Sequence, residues 1–217
     1  FNGVDNTNVN LIQFQRSKCK YLHQNINKST SNSTCLYENT YLANSDFWPG
    51  YQFSGSLDTK RQLNAPLPDG IFWSSKFPLP STSHPIKQYD SENYISFVSV
   101  INPLPFGPKS SINVISMTSL KRRKLIASIP RDRIPYMHSF ALTENYAVIF
   151  ASPAMVDIGR IIRTGNPIGS IDWLPELGTD IYVVNIHTGK IMEFHIDQAE
   201  LNLHFINAWE RNNKVLY

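Results

Sequence analysis

The sequence predicts an all-β fold, on three observations. Short apolar or alternating runs recur through the second half of the chain, turn residues separate them, and no stretch repeats its apolar residues with the 3.6-residue period of an amphipathic helix. Runs of this length suit strands, because alternate side chains of an extended chain fall on opposite faces.

Residues 5–14 (DNTNVNLIQF) have a strand-like centre. Residues 15–40 are rich in Asn, Ser and Thr and predict a loop insertion. Residues 41–83 carry many aromatics, Pro and Gly, a pattern of short strands joined by irregular loops. From Tyr94 onward the pattern sharpens. Strands are predicted over 94–101, 112–117, 124–129, 137–142, 146–152, 179–185, 190–196 and 203–209, each β-branched or aromatic and bounded by turn residues. Thr143-Glu144-Asn145 predicts a tight hairpin turn, and so does Ile186-His187-Thr188-Gly189, where Gly189 can supply a positive φ. Repeated hairpins suit a barrel, a sandwich or a propeller, and periodicity does not separate the three.

The chain of 217 residues fits one globular domain or a slice of a larger one, with hydrophobic residues at 41% and charged residues at 17%. A net charge of +3 is too small to imply a nucleic-acid partner. No apolar run approaches the roughly 18 residues a membrane-crossing helix needs. Cys19 and Cys35 could pair, but two cysteines do not make a stapled secreted scaffold. The sequons at Asn27 and Asn32 read as a by-product of an Asn/Ser/Thr-rich loop rather than as glycosylation sites. The run Lys121-Arg122-Arg123-Lys124 admits contact with an anionic membrane surface. A solvated hairpin tip is the preferred reading. The chain begins at Phe1 without a methionine or signal-peptide pattern and stops inside a strand-like run at Tyr217. It is therefore expected to be an internal part of a longer protein, inactive and unstable when isolated.

Six histidines are candidates for chemistry: His23, His84, His138, His187, His195 and His204. No closely spaced cysteines accompany them, which argues against a zinc-finger site. His84 lies in Ser83-His84-Pro85 where a strand begins, and His138 and His204 lie inside predicted strands. A histidine in a strand is ordinarily a packed or hydrogen-bonded residue. These three are spaced by about 50–70 residues, comparable to a propeller repeat of about 40–50 residues with insertions. One histidine per blade could then meet the others on a common axis.

Residues 134–146 (IPYMHSFALTENY), 173–179 (WLPELGT), the following Ile181-Tyr182-Val183-Val184 and Thr188-Gly189-Lys190, and 204–210 (HFINAWE) resemble, in order, segments of the carotenoid cleavage oxygenases. Ser83-His84-Pro85 resembles that family's first-histidine segment, and 5–10 (DNTNVN) a segment near the start of its metazoan members' propeller. The resemblance implies a seven-bladed β-propeller with an axial Fe2+ held by four histidines. His84, His138 and His204 would be the first three ligands, the fourth lying outside the chain. It further implies a non-haem iron(II) dioxygenase that takes a carotenoid or apocarotenoid and O2, splits a C=C bond and releases aldehyde or ketone products. A cytoplasmic enzyme with peripheral membrane contact is expected.

The same resemblance admits a retinoid isomerohydrolase, and a propeller that has lost iron and serves as an interaction module is a third reading. Family members also carry glutamates that accept hydrogen bonds from the ligand histidines. The most upstream would fall before Tyr51, where Glu38 and Asp46 are the acidic candidates. Ala151 stands where the family often carries Glu. Glu210 and Asn207 read as structural rather than catalytic groups, because polar residues beside a metal strand must be satisfied.

Overall fold

A computed structural model of the chain describes residues 32–37, 40–44, 46–48, 51–54, 59–62, 79–102, 109–119, 122–212 and 214–216. The strand-like centre at 5–14, Cys19, His23, Asn27 and Glu38 lie outside them. Of the loop expected over 15–40, residues 15–31 also lie outside, whereas Asn32–Tyr37 is a strand.

The described chain is built almost wholly from antiparallel strands. β1 (Asn32–Tyr37), β2 (Thr40–Asn44), the short β3 (Phe47–Trp48), β4 (Tyr51–Ser54) and β5 (Thr59–Gln62) come first, and β1-β2-β4-β5 form one sheet. β6 (Leu79–Pro80) pairs with β3 instead. β7 (Ile86–Lys87), β8 (Tyr94–Val100), β9 (Ser110–Ser119) and β10 (Arg122–Arg131) form a second four-stranded meander. A third contains β11 (Ala141–Leu142) and β12 (Tyr146–Ala151). Its chain then leaves through β13 (Ala154–Val156), the helix α1 (Ile158–Thr164) and β14 (Ile171–Trp173), and returns as β15 (Thr179–Asn185) and β16 (Ile191–Ile196). β17 (Trp209–Arg211) and β18 (Lys214–Leu216) make a final hairpin.

The central strands read as continuous apolar runs because both of their faces are covered. In β12, Ala147, Ile149 and Ala151 face the second sheet, while Val148 and Phe150 face the opposite side with Ile181, Val183 and Ala208. The layer between the second and third sheets is closed by Ile95, Phe97, Ile112 and Val114 against Ile134, Met137, Phe140 and Tyr182. Phe97 and Phe140 meet edge to face at 5.9 Å, an arrangement that suits the ring quadrupoles. Arg131 on β10 ties the two sheets at their rim by donating to Asp180 and to the Tyr182 hydroxyl, each at 2.5 Å. Gly189, at φ +75°, turns the β15–β16 hairpin, and any Cβ there would lie 2.4 Å from the Ile126 carbonyl oxygen. The hairpin tip thus reaches the β10 backbone only because this residue is glycine.

Two expectations need correction. The strands predicted over 137–142 and 203–209 are mostly extended chain without a ladder, pairing only at β11 and β17. Their backbone groups bond instead to side chains and loops, so alternation in the sequence reported extension but not pairing. The helix α1 is the other. Asp157 caps its start by accepting from Arg160 N, and Gly165, at φ +66°, ends it. With seven residues and none of them buried, it leaves no amphipathic signature.

Phe97 is 1% exposed and sits in the layer between the sheets. In the full-length protein Phe97→Ala should lower unfolding free energy by about 3–5 kcal/mol, read from chemical denaturation. Exposed Lys124→Ala should shift it by no more than about 0.5 kcal/mol.

Candidate metal centre

Each of the three histidines precedes the first strand of a sheet or hairpin: His84 before β7, His138 before β11 and His204 before β17. The fold thereby brings distant positions to one place. The ring centroids of His84 and His138 are 4.6 Å apart, those of His138 and His204 4.8 Å, and those of His84 and His204 4.9 Å. One nitrogen from each ring lies within 4.8 Å of the others. His84 and His138 are half-buried and His204 is exposed.

Local bonds explain how two of these rings are aimed. β3 and β6 pair, and Ser81 N donates to the Asp46 carbonyl at 2.9 Å, which sets the Asp46 segment beside that of His84. The Thr82 hydroxyl donates to the His138 carbonyl at 2.8 Å and accepts from His84 N at 2.9 Å, so one small side chain spaces two histidine segments. On the His138 side, Tyr136 N donates to Ala154 O and Val156 N to Ile134 O, anchoring the extended chain on β13. Met137 and Phe140 enter the core, while Tyr136 and His138, two residues apart, reach the same carboxylate.

That carboxylate is Asp46. Its Oδ2 accepts from His138 Nδ1 at 2.9 Å and from the Tyr136 hydroxyl at 2.9 Å. The network assigns the His138 proton to Nδ1, leaving the lone pair of Nε2 facing the other rings. His84 Nε2 then lies 2.9 Å from His138 Nε2. Burial, together with the nearness of His138 and His204, pushes the His84 pKa down from 6.5 to about 4, although Asp46 opposes the shift. The Tyr136 hydroxyl is raised by burial and by Asp46, so it remains a donor.

The donor set suits a cation. Neutral imidazoles are good ligands for divalent iron, copper, nickel and zinc. The Oδ1 atom of Asp46 is buried without a hydrogen-bond partner among the described residues, leaving negative charge beside the three rings. A positive ion among the imidazoles would compensate it.

The remaining histidines do not join the cluster. His195 Nδ1 bonds Asp180 at 2.7 Å on β16, and His187 is exposed on the β15–β16 turn. Glu210 Oε1 accepts from the Thr143 hydroxyl at 2.6 Å and from Asn145 N at 2.9 Å, which ties β17 to the β11–β12 turn. Asn207 accepts from Ala208 N. Ala151 is core. Tyr136, Thr82 and Ser139 were not singled out by sequence. The one available signal was the position of Tyr136 two residues before a histidine in an extended run.

His84 carries a pH consequence. Its folded pKa lies below the unfolded value, so between about pH 6.5 and 4 the unfolded chain binds the extra proton. Stability of the metal-free full-length protein should fall as pH drops through that window. Denaturation midpoints of parent and His84→Asn should converge there as pH falls and keep a constant separation above it. A constant separation throughout would contradict the burial assigned to this ring.

Comparison with known proteins agrees with this architecture. The family described as retinal pigment epithelial membrane protein matches residues 3–217. Carotenoid cleavage dioxygenase 8 of Arabidopsis thaliana is 35% identical over 78 residues, 36% of this chain and 14% of the relative. The human mitochondrial carotenoid-cleaving dioxygenase is 29% identical over 96 residues, 42% of this chain and 17% of the relative. A mutant of the Synechocystis apocarotenoid oxygenase superposes with a TM-score of 0.64 at 20% identity, over 87% of this chain and 38% of that one. A cobalt-substituted form of that enzyme matches with a TM-score of 0.59 at 21% identity, over 81% of this chain and 36% of that one. The matched segments are thus well under half the length of these relatives. With residues 3–217 matched, the chain belongs to the retinal pigment epithelial membrane protein family, that of the carotenoid cleavage oxygenases.

Proposed function

We propose that this chain is part of a non-haem iron(II) dioxygenase that cleaves a C=C bond of a carotenoid or apocarotenoid. The observation that carries the reading is the meeting of His84, His138 and His204, with Asp46 fixing the tautomer of the middle ring. These histidines would hold Fe2+, with a fourth ligand from a part of the protein outside this chain. Bound iron would supply dioxygen activation, the chemistry that imidazoles alone lack.

What the chain itself contributes is ligand preparation. Burial keeps His84 uncharged, so its ring offers a lone pair instead of a positive charge. Asp46 holds the His138 proton on the side away from the cluster, and Tyr136 restrains Asp46. Thr82 keeps the His84 and His138 segments in fixed register.

The overall reaction balances with O2 alone: the double bond and the O–O bond break, and each carbon fragment leaves as a carbonyl. The curated relatives compared above are named as carotenoid dioxygenases, which favours cleavage over ester isomerohydrolysis. The three four-stranded meanders suit consecutive blades of a seven-bladed propeller, with the 217 residues as one part of that domain.

A cytoplasmic enzyme touching membranes only peripherally belongs to the same reading. Among the described residues, no helix is long and apolar enough to cross a membrane. Of the basic run, Lys121 lies outside the described residues, Arg123 is half-buried and Lys124 is exposed, a pattern that adds no support for membrane contact.

Iron content of the full-length protein and its His138→Ala variant tests the metal centre. The parent should hold close to one iron, and the variant's affinity should fall at least about tenfold. Incubated with β-carotene and 18O2, the parent should release carbonyl fragments carrying label. Equal iron in both proteins would remove His138 from the ligand set, and an iron-loaded parent that leaves every polyene intact would remove the dioxygenase reading.

A further inference from the structure

His204 is the least supported of the three rings. No ladder hydrogen bonds hold the chain between β16 and β17, and Leu201, Leu203 and Ile206 are exposed there. Phe205 packs on Phe150, 5.3 Å between ring centroids, which fixes one face of the segment but not its position along the chain direction. Upstream of the histidine, the Thr179 hydroxyl accepts from Glu200 N and donates to Gln198 O. Two further polar contacts join this segment directly to the His138 segment.

The first contact is immediately beside both rings. Ser139, the residue after His138, is buried, and its hydroxyl donates to the carbonyl of Leu203, the residue before His204, at 2.6 Å. The second lies just downstream. Glu210 grips the turn that follows the His138 segment, with Oε1 accepting from the Thr143 hydroxyl and Asn145 N and Oε2 from Asn145 Nδ2 at 3.1 Å. These two points flank His204 in sequence and tie its segment to that of His138.

We propose that Ser139 and Glu210 are positioning residues of the metal centre, clamping the ladder-free His204 segment onto the His138 segment and so fixing where the His204 imidazole points. The proposal rests on the metal-centre reading above. Neither residue touches the ion site. Each acts on the backbone that carries a ligand, much as partners of ligand side chains do in other metal sites, where their loss costs about 10–100-fold in affinity. Glu210 needs acceptor oxygens rather than charge, since Thr143 and Asn145 are neutral donors, so glutamine can replace it in part.

The test uses the full-length protein and Co(II) as the probe, because its visible ligand-field spectrum reports coordination geometry. Ser139→Ala and Glu210→Ala should each weaken Co(II) binding about tenfold and alter the spectrum, while Glu210→Gln should retain much of both. His204→Ala, measured alongside, should lose more affinity than either. If Ser139→Ala fails to fold, the Glu210→Ala and Glu210→Gln pair carries the test, since that side chain is exposed. Parent-like affinity and spectrum in the clamp variants, with loss in His204→Ala, would overturn the clamp and leave the metal centre standing. Parent-like behaviour in His204→Ala would remove both. A change in melting temperature alone, with the spectrum unmoved, would mark the two residues as structural and overturn the proposal.

Discussion

The hydrogen bond from His138 Nδ1 to Asp46 decides which nitrogen of the central ring faces its neighbours, and the geometry of the cluster depends on that choice. With the proton on Nδ1, Nε2 presents a lone pair to His84 and His204. Placing the proton on Nε2 would turn a donor atom toward the His84 ring 2.9 Å away and leave Asp46 facing a bare nitrogen. Burial reinforces the arrangement by making a charged His84 unfavourable. A neutral ring is also what a metal requires of an imidazole ligand.

The fold supplies convergence through repetition. Successive meanders start beside the same centre, and a histidine sits shortly before the opening strand at β7, β11 and β17. Large separation in sequence therefore costs nothing in space. The sheets themselves are held by apolar layers, with Phe97 and Phe140 in one and Phe150 and Val183 in another, so the histidine segments need not form ladders of their own. Freed from pairing, those segments are aimed by side-chain bonds: Thr82 between His84 and His138, and Ser139 and Glu210 between His138 and His204.

Much of this was legible in the residues. The runs at 94–101 and 179–185 were plain strands because both faces are buried, and β8 and β15 match them to within one residue. Gly189 announced its turn because only a positive φ fits there. His84, His138 and His204 could be grouped by family resemblance, but spacing alone gave no reason to prefer them over His195. Asp46 was one of two acidic candidates, and only the β3–β6 pairing shows why it is the one in reach. Ser139 left no local signal and Glu210 read only as a structural group, because their partners, Leu203 and the Thr143–Asn145 turn, are set by tertiary packing. The extended chain at His138 and His204 read as paired strand for the same reason: alternation reports conformation and not the neighbour.

The central claim is that these three imidazoles share one ion. Crystals of the iron-loaded full-length protein, with diffraction recorded on both sides of the iron absorption edge, test it without reference to turnover. The account predicts a single anomalous peak within bonding distance, roughly 2.0–2.3 Å, of a nitrogen from each of His84, His138 and His204. A peak bound elsewhere, or one that excludes any of the three rings, would contradict it.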